Sequence, residues 1–180
     1  MPEELGPPPA HLVAFVRGLE PVQRAVDLGC GDGRLSAEIR ARTLTLAEVS
    51  DVALARAARR LPAAVAVGLE PDAPLPLEDG AFDLVLCAET IEHVRDVQRL
   101  LSECRRVLAP RGTLAVTTPA HGRGSALRAA VRGFERSFEP FSPHLRFFTA
   151  RSLRASLTAT GFEVLELTRA RGSLLATAVR

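Results

Sequence analysis

The sequence predicts a single α/β domain built around a mostly parallel β-sheet. Short apolar runs alternate with stretches of helical periodicity, which is typical of successive strand-helix-strand units. A glycine-rich turn at residues 29–33 follows the first apolar run, where the next helical stretch begins. The length of 180 residues suits one domain that buries a substantial core.

Each predicted element follows from its apolar spacing and from the residues that break the pattern. A short amphipathic helix at 11–19 is closed by Pro21, and the clearest helix, at 97–108, has one apolar face and ends at Pro110 and Gly112. Three further helices are predicted at about 34–41, 51–60 and 152–160. Strands are predicted at 25–28, 43–49, 63–67, 82–87, 113–117, 162–167 and 173–179.

Charge and cysteine content exclude several classes of protein. All 23 basic residues are Arg and the net charge is +2, which does not indicate a nucleic-acid partner. Cys30, Cys87 and Cys104 form no closely spaced pair, so we expect reduced thiols and neither a disulfide framework nor a zinc site. Apolar runs of ~20 residues and the pattern of a secretory signal are missing, so we expect a cytoplasmic protein without a transmembrane segment.

The glycine-rich turn, in the stretch VDLGCGDGR at 26–34, predicts a cofactor site. Glycines let the backbone approach a ligand closely and tolerate positive φ. The dinucleotide fingerprint G-x-G-x-x-G does not fit. Counted from Gly29 it requires Gly at position 34, which is Arg34, and counted from Gly31 it requires Gly or Ala at position 36, which is Ser36. The pattern D-x-G-x-G-x-G, which begins at Asp27, instead suits a cofactor that ends in a zwitterionic amino acid.

Together with the stretch ETIEHV at 89–94, this turn resembles the class I S-adenosylmethionine (SAM) dependent methyltransferases. The chain is similar in particular to the small-molecule group that includes the ubiquinone-biosynthesis methyltransferases, over roughly residues 22–170. The resemblance implies a Rossmann-like, doubly wound sheet of seven strands, with helices on both faces and the last strand antiparallel. It also implies SAM as the cofactor and S-adenosylhomocysteine as the product.

Within the single domain, residues 1–180, we expect four parts. These are an N-terminal cap helix in 1–21, a cofactor-binding core in 22–118, a substrate lid in 119–151, and a C-terminal helix with strands in 152–180. In the core, the glycine turn would wrap the methionine moiety, and the loop after the fourth strand would lie beside the sulfonium. The residues so implied are Asp27, Gly29, Cys30, Gly31 and Gly33 in the turn, with Cys87 and Glu89 at the fourth strand.

The nucleoside end of SAM is assigned to two acidic positions. Glu48, followed by Val49, would hold the ribose hydroxyls where the family more often has Asp, since a carboxylate accepts two hydrogen bonds and a ribose diol offers two. The alternative is a solvated strand-end charge. Because such a carboxylate would support little of the folded structure, we expect its replacement to leave folding almost unchanged. The adenine amino group would meet Asp72, which precedes Ala73, with Glu70 as the alternative.

His93 is the candidate catalytic residue. Methyl transfer from a sulfonium is an in-line displacement with an activated donor, so the protein has to position the acceptor and, for a hydroxyl, remove its proton. A neutral imidazole accepts a proton near pH 7, which makes His93 the candidate base. The alternative is a histidine that packs against or caps the loop. We expect no metal and no covalent nucleophile.

An Arg- and Phe-rich segment is the candidate lid. Residues 119–154 contain seven Arg and two Glu, a net charge of +5. An apolar, cationic lid suits a small-molecule acceptor with a hydrophobic body and an anionic group, methylated on oxygen or nitrogen. A solvated Arg face over a Phe-filled core is the alternative, and the rival functions are an RNA or protein methyltransferase on the same fold and a SAM-binding module without catalysis. The candidate acceptor contacts are His121, Arg128, Arg132, His144 and Arg146.

Overall fold

The chain forms a seven-stranded sheet with flanking helices in a computed structural model that describes residues 6–122 and 144–180. The strands are β1 (Val22–Leu28), β2 (Ala41–Glu48), β3 (Val65–Gly68), β4 (Phe82–Ala88), β5 (Leu108–Pro119), β6 (Glu163–Ala170) and β7 (Ser173–Val179). The helices are α1 (Ala10–Gly18), α2 (Asp51–Arg60), α3 (Val97–Val107) and α4 (Ala150–Ala159), with short 3-10 helices at Ser36–Glu38 and Ile91–His93.

The strand order across the sheet is β3-β2-β1-β4-β5-β7-β6. Strands β1 to β5 run parallel to one another, and β7 runs antiparallel between β5 and β6. The chain moves outward from β1 to β3 and then returns to the other side of β1 with β4. This arrangement confirms the predicted Rossmann-like sheet with an antiparallel last strand. Open α/β sheets bind ligands beside such a reversal of strand order, at the carboxyl ends of the strands.

Helices cover both faces of the sheet, because alternate residues of each strand point to opposite sides. On one face, Val26 belongs to a core cluster with Leu101 of α3 and Leu153 of α4. On the other face, Ala25 packs in a cluster with Val16 of α1. In the described parts of the chain, no helix is long and apolar enough to cross a membrane.

The helix predicted at about 34–41 is wrong. Only the 3-10 turn Ser36–Glu38 follows the glycine turn, and β2 begins at Ala41. Seven residues separate Gly33 from β2, which is too few for several helical turns and a loop back to the sheet. Leu35 and Ile39, which lie within the predicted helix, pack instead against the cluster beneath α1.

The connection between α3 and β5 also differs from the prediction. Pro110 and Gly112 lie inside β5, which begins at Leu108 directly after the helix. Arg111 has a φ of 64°, and a Cβ at Gly112 would lie 2.9 Å from Ala109 O. The Pro-Arg-Gly sequence therefore makes a bend within the strand, and glycine is required there because a side chain has no room.

Candidate active site

A cavity of about 580 Å³ lies at the carboxyl ends of β1 to β4, beside the reversal of strand order. Residues that follow β1 and β4, the last residue of β2 and the loop after β3 all contribute to its wall. This is the position at which the fold predicts a ligand. Seven predicted site residues line the cavity: Gly29, Glu48, Val49, Asp72, Ala73, Glu89 and His93.

The glycine turn has a backbone that glycine adopts most readily. Gly29, Gly31 and Gly33 have φ values of 74°, 55° and 78°. A Cβ at Gly29 would lie 2.5 Å from Thr90 Oγ1, and one at Gly33 would lie 3.0 Å from Ala57 Cβ. A Cβ at Gly31 would meet no heavy atom of the described chain within 4 Å. Packing therefore requires the outer two glycines, whereas the backbone of Gly31 remains open to close approach.

Three backbone N–H groups hold the Glu48 carboxylate. Gly31 N donates to Oε2 at 2.9 Å, and Val49 N and Ser50 N donate to Oε1 at 2.9 and 3.0 Å. Glu is longer than the Asp common in the family, so its carboxylate reaches from β2 back to the glycine turn. The expectation that this side chain supports little of the folded structure is wrong, because it ties the turn to the second strand.

Asp27 lies beneath the glycine turn and outside the cavity wall. Its carboxylate is buried and accepts a hydrogen bond from Ser36 Oγ at 2.6 Å. Burial raises the pKa of the Asp27 carboxyl to about 7; the Ser36 hydroxyl opposes this rise, and the Glu48 charge adds to it. Asp27 thus connects β1 to the 3-10 turn.

The remaining predicted residues of the cofactor site also lie away from the cavity wall. Cys30 and Cys87 are buried free thiols, and burial raises the pKa of the Cys30 thiol to about 12. Burial likewise raises the pKa of Cys87 well above its ordinary value. The Cys87 side chain is in the core, so only its backbone is available to a ligand. Gly31 and Gly33 belong to the same turn as Gly29 but are not among the residues that line the cavity.

Glu89 is fixed at the cavity wall by the neighbouring strand β5. Its backbone N donates to Thr117 O at 2.9 Å, and Thr117 Oγ1 donates to Glu89 Oε1 at 2.9 Å. Glu89 has a φ of 51°, which turns the chain sharply at the end of β4. Burial raises the pKa of the Glu89 carboxyl, and the Thr117 hydroxyl opposes this rise.

Both candidates for the adenine contact line the cavity in the loop after β3. Asp72 Oδ2 accepts a hydrogen bond from Arg95 Nη1 at 3.2 Å, which links this loop to the segment before α3. The loop is anchored further along, where Leu75 N donates to Glu103 Oε2 at 2.7 Å. Asp72 and Glu70 are both on the wall, so the choice between them stays a prediction.

The acceptor-side candidates are distributed around the loop after β4. His93 lines the cavity, and its ring centroid lies 4.8 Å from that of His144. His121 lies outside the wall against Phe147, and burial, with His144 and Arg169 nearby, lowers its pKa. Arg146 is exposed and donates to Arg95 O. Arg128 and Arg132 lie outside the described residues.

The sequence reasoning missed one wall of the cavity, which is formed by the start of α3. Asp96 caps this helix by accepting a hydrogen bond from Arg99 N at 2.9 Å. An Asp directly before an amphipathic helix is an N-cap signal, so the position of this wall could have been predicted. The missed lining residues on this side and nearby are Thr90, Val94, Arg95, Asp96, Arg99, Leu100, Glu103 and Leu145.

A larger and more open depression of about 830 Å³ lies between α1 and the end of α2. Its wall includes Arg17, Arg34 and Arg60 but none of the predicted site residues. Because it is away from the carboxyl ends of the strands, we assign the functional site to the smaller cavity.

Three comparisons relate this architecture to known proteins. The chain is 33% identical over 165 residues to a malonyl-[acyl-carrier protein] O-methyltransferase of Geobacter sulfurreducens, covering 85% of this chain and 60% of that protein. It is 38% identical over 122 residues to a ubiquinone biosynthesis O-methyltransferase of Ralstonia nicotianae, covering 63% and 50%. The crystal structure of a SAM-dependent methyltransferase of Thermotoga maritima, a possible histamine N-methyltransferase, matches with a TM-score of 0.72 at 25% identity, covering 93% and 87%.

The chain spans 50 to 60% of the length of these two curated relatives. A family model described as a methyltransferase domain matches residues 3–167, which is most of the chain. The glycine turn, the strand order and this match agree: the chain belongs to the methyltransferase domain family, with the Rossmann-like fold of the class I SAM-dependent methyltransferases.

Proposed function

We propose that the chain transfers the methyl group of SAM to an oxygen or nitrogen of a small-molecule acceptor. The observation that carries this proposal is the charge of the cavity. Among the described residues, six carboxylates and two Arg side chains line it, in a chain whose net charge is +2. Such a wall attracts a cationic sulfonium and repels the pyrophosphate of a dinucleotide. The volume of about 580 Å³ lies in the range of small-molecule sites.

The carboxylate of Glu48 supports ribose binding in a restricted form. A carboxylate offers about four acceptor positions, and backbone N–H groups of Gly31, Val49 and Ser50 occupy three of them. One ribose hydroxyl can therefore donate to Glu48 without displacing a backbone group. We assign the other end of the nucleoside to Asp72 or Glu70.

The methionine end is assigned to the glycine turn and to Glu89. The Gly31 backbone is open to close approach, and the Glu89 carboxylate, held by Thr117, faces the cavity. Bound SAM supplies an activated methyl group. The chain itself then has to orient the acceptor and accommodate its proton.

The acceptor proposal rests on the relatives and on the wall around His93. The two curated relatives are, by name, O-methyltransferases, and the T. maritima protein is a possible N-methyltransferase. The His93 side chain is 38% exposed and lines the cavity, so it can reach a bound acceptor. A neutral imidazole that can accept a proton can equally bind a metal ion.

Methyl transfer is tested by incubating the protein with SAM labelled in its methyl group and a metabolite extract. We expect the label in a small set of low-mass compounds, with one S-adenosylhomocysteine formed per methyl group, and no transfer by the variant Gly31→Val. Label found in RNA or protein instead would replace the small-molecule acceptor. SAM binding without turnover on any fraction would indicate a SAM-binding module.

A further inference from the structure

Three potential metal ligands meet where the loop after β4 contacts the start of the segment 144–180. Glu92, His93 and His144 each offer one ligand atom, and these atoms lie within 4.8 Å of one another. The two imidazole rings are in edge contact, with their centroids 4.8 Å apart. The residues come from two separate parts of the chain, so the fold creates this cluster.

Glu92 provides an independent sign of a ligand. Its side chain is buried, with 1% of the residue exposed, and Thr118 Oγ1 donates to its Oε2 at 2.9 Å. In the described parts of the chain, its Oε1 is a buried atom without a hydrogen-bond partner. It lies 3.9 Å from His93 Nε2, beyond hydrogen-bond distance. A buried carboxylate oxygen without a partner is costly, and a bound cation would remove that cost.

The backbone holds the two halves of the cluster together. Leu145 N and Arg146 N donate to Glu92 O at 2.8 and 3.0 Å. His121 N donates to Phe148 O at 2.8 Å, which fixes the same segment a few residues further along. The position of His144 beside Glu92 and His93 is therefore set by main-chain hydrogen bonds.

We propose that Glu92, His93 and His144 bind one divalent transition-metal ion. Two imidazoles and one carboxylate form the donor set of many zinc and ferrous sites, whereas magnesium and calcium prefer oxygen ligands alone. Zinc binds such ligands at about 2.0–2.2 Å, so tetrahedral donors lie about 3.4 Å apart. The ligand atoms lie within 4.8 Å of one another, so they have to approach by up to about 1.4 Å to reach this geometry.

The ion would lie on the acceptor side of the cavity, because His93 is on the cavity wall. Three protein ligands leave coordination positions open, and an acceptor hydroxyl bound there would lose its proton more readily. This part rests on the proposed function, whereas the metal site itself does not. A metal-bound acceptor would replace two expectations: that His93 acts as the base and that the transfer needs no metal.

Metal binding is tested on the tag-free, metal-free protein without SAM. Co²⁺ is titrated and followed by its visible absorption, and Zn²⁺ and Mn²⁺ are titrated by calorimetry. We expect one ion per chain and displacement of Co²⁺ by Zn²⁺. Metal affinity should be about a hundredfold lower, or lower still, in His93→Ala and in His144→Ala. The control variant His11→Ala removes a histidine that contacts Ser173 outside the cluster and should bind metal within about twofold of the wild type.

The variant Glu92→Gln gives a readout that a merely structural role would not produce. The amide keeps an oxygen for Thr118 and removes the buried charge, so the metal-free variant should unfold at a Tm about 2–4 °C higher and gain no stability from Zn²⁺. Unchanged metal affinity in His144→Ala, or no metal binding by the wild type, would overturn the proposal whether or not Glu92→Gln folds. A separate SAM titration distinguishes the two proposals: SAM binding without metal binding leaves the proposed function standing, and metal binding without SAM binding leaves only the metal site.

Discussion

The cofactor side and the acceptor side of the cavity are built in different ways. The cofactor side consists of short contiguous segments at the ends of β1 to β4, and the hydrogen bond from Gly31 N to Glu48, 17 residues apart, ties the first two together. The acceptor side joins His93 to His144, 51 residues further along the chain, through contacts that only the folded protein creates. A contiguous motif can be recognised in a sequence, whereas a cluster of distant residues depends on how the chain returns to the sheet.

The glycine turn allows the strongest test of the cofactor side, through two matched substitutions. In Gly29→Ala the new Cβ meets Thr90, whose hydroxyl is held by Ala88 O at 3.0 Å, and the backbone is strained by its positive φ. We expect a loss of about 2–5 kcal/mol in the free energy of unfolding. In Gly31→Ala the backbone is strained by its positive φ but the new Cβ meets no neighbouring atom, so the free energy of unfolding should fall by only about 1–2 kcal/mol. Urea unfolding measures both, and equal losses would show that the turn is not packed against Thr90.

The buried Asp27 should make the stability of the ligand-free protein depend on pH. Its folded pKa of about 7 lies above the ordinary value of 3.8, so the folded state binds the proton more tightly than the unfolded state. The contribution of Asp27 to stability is then largest at low pH and is lost as the pH rises from about 4 to about 7, by up to about 1.4 kcal/mol per pH unit. The neutral variant Asp27→Asn should lack this part of the slope. If the free energy of unfolding in urea changed with pH equally in the two proteins, the pKa of Asp27 would not be raised by burial.

Glu48→Gln should destabilise the protein even without a ligand. The amide nitrogen has to face one of the backbone N–H groups that now donate to the carboxylate, which costs about 1–3 kcal/mol. The matched control is Glu70→Gln on the same cavity wall, where the residue is exposed and we expect a change within about 0.5 kcal/mol. Similar unfolding midpoints for the two variants would mean that Glu48 does not tie the turn to β2.

The ribose assignment predicts a smaller and more selective effect. Because one acceptor position of Glu48 remains, only one of the two analogues 2′-deoxy-SAM and 3′-deoxy-SAM should lose this contact, with an affinity about tenfold lower in the wild type. In Glu48→Gln the difference in affinity between the two analogues should shrink, because the effects of removing two groups in direct contact are not additive. Affinities for both analogues, measured by calorimetry in both proteins, provide the comparison. If the ratio of the affinities for the two analogues were the same in the variant as in the wild type, Glu48 would not be the ribose ligand.

The same contrast explains how much could be predicted from the sequence. The glycine turn, Glu48 and Glu89 were placed at strand ends, because motif and strand are contiguous and parallel strands end at one edge. The helix at about 34–41 was predicted wrongly, since a local helical pattern carries no information about how early β2 must pair with β1. The contact between Gly31 and Glu48, and the meeting of Glu92 with His144, depend on tertiary packing that no local pattern contains.

The central claim is that the cavity at the ends of β1 to β4 binds SAM, and calorimetry on two proteins tests it most directly. The wild type should bind one SAM or S-adenosylhomocysteine per chain and gain thermal stability from either, with no response to NAD. Gly31→Val, whose side chain would fill the open approach to the turn, should remain folded by circular dichroism and lose this binding. NAD binding without a response to SAM, or near-normal SAM affinity in Gly31→Val, would contradict the account.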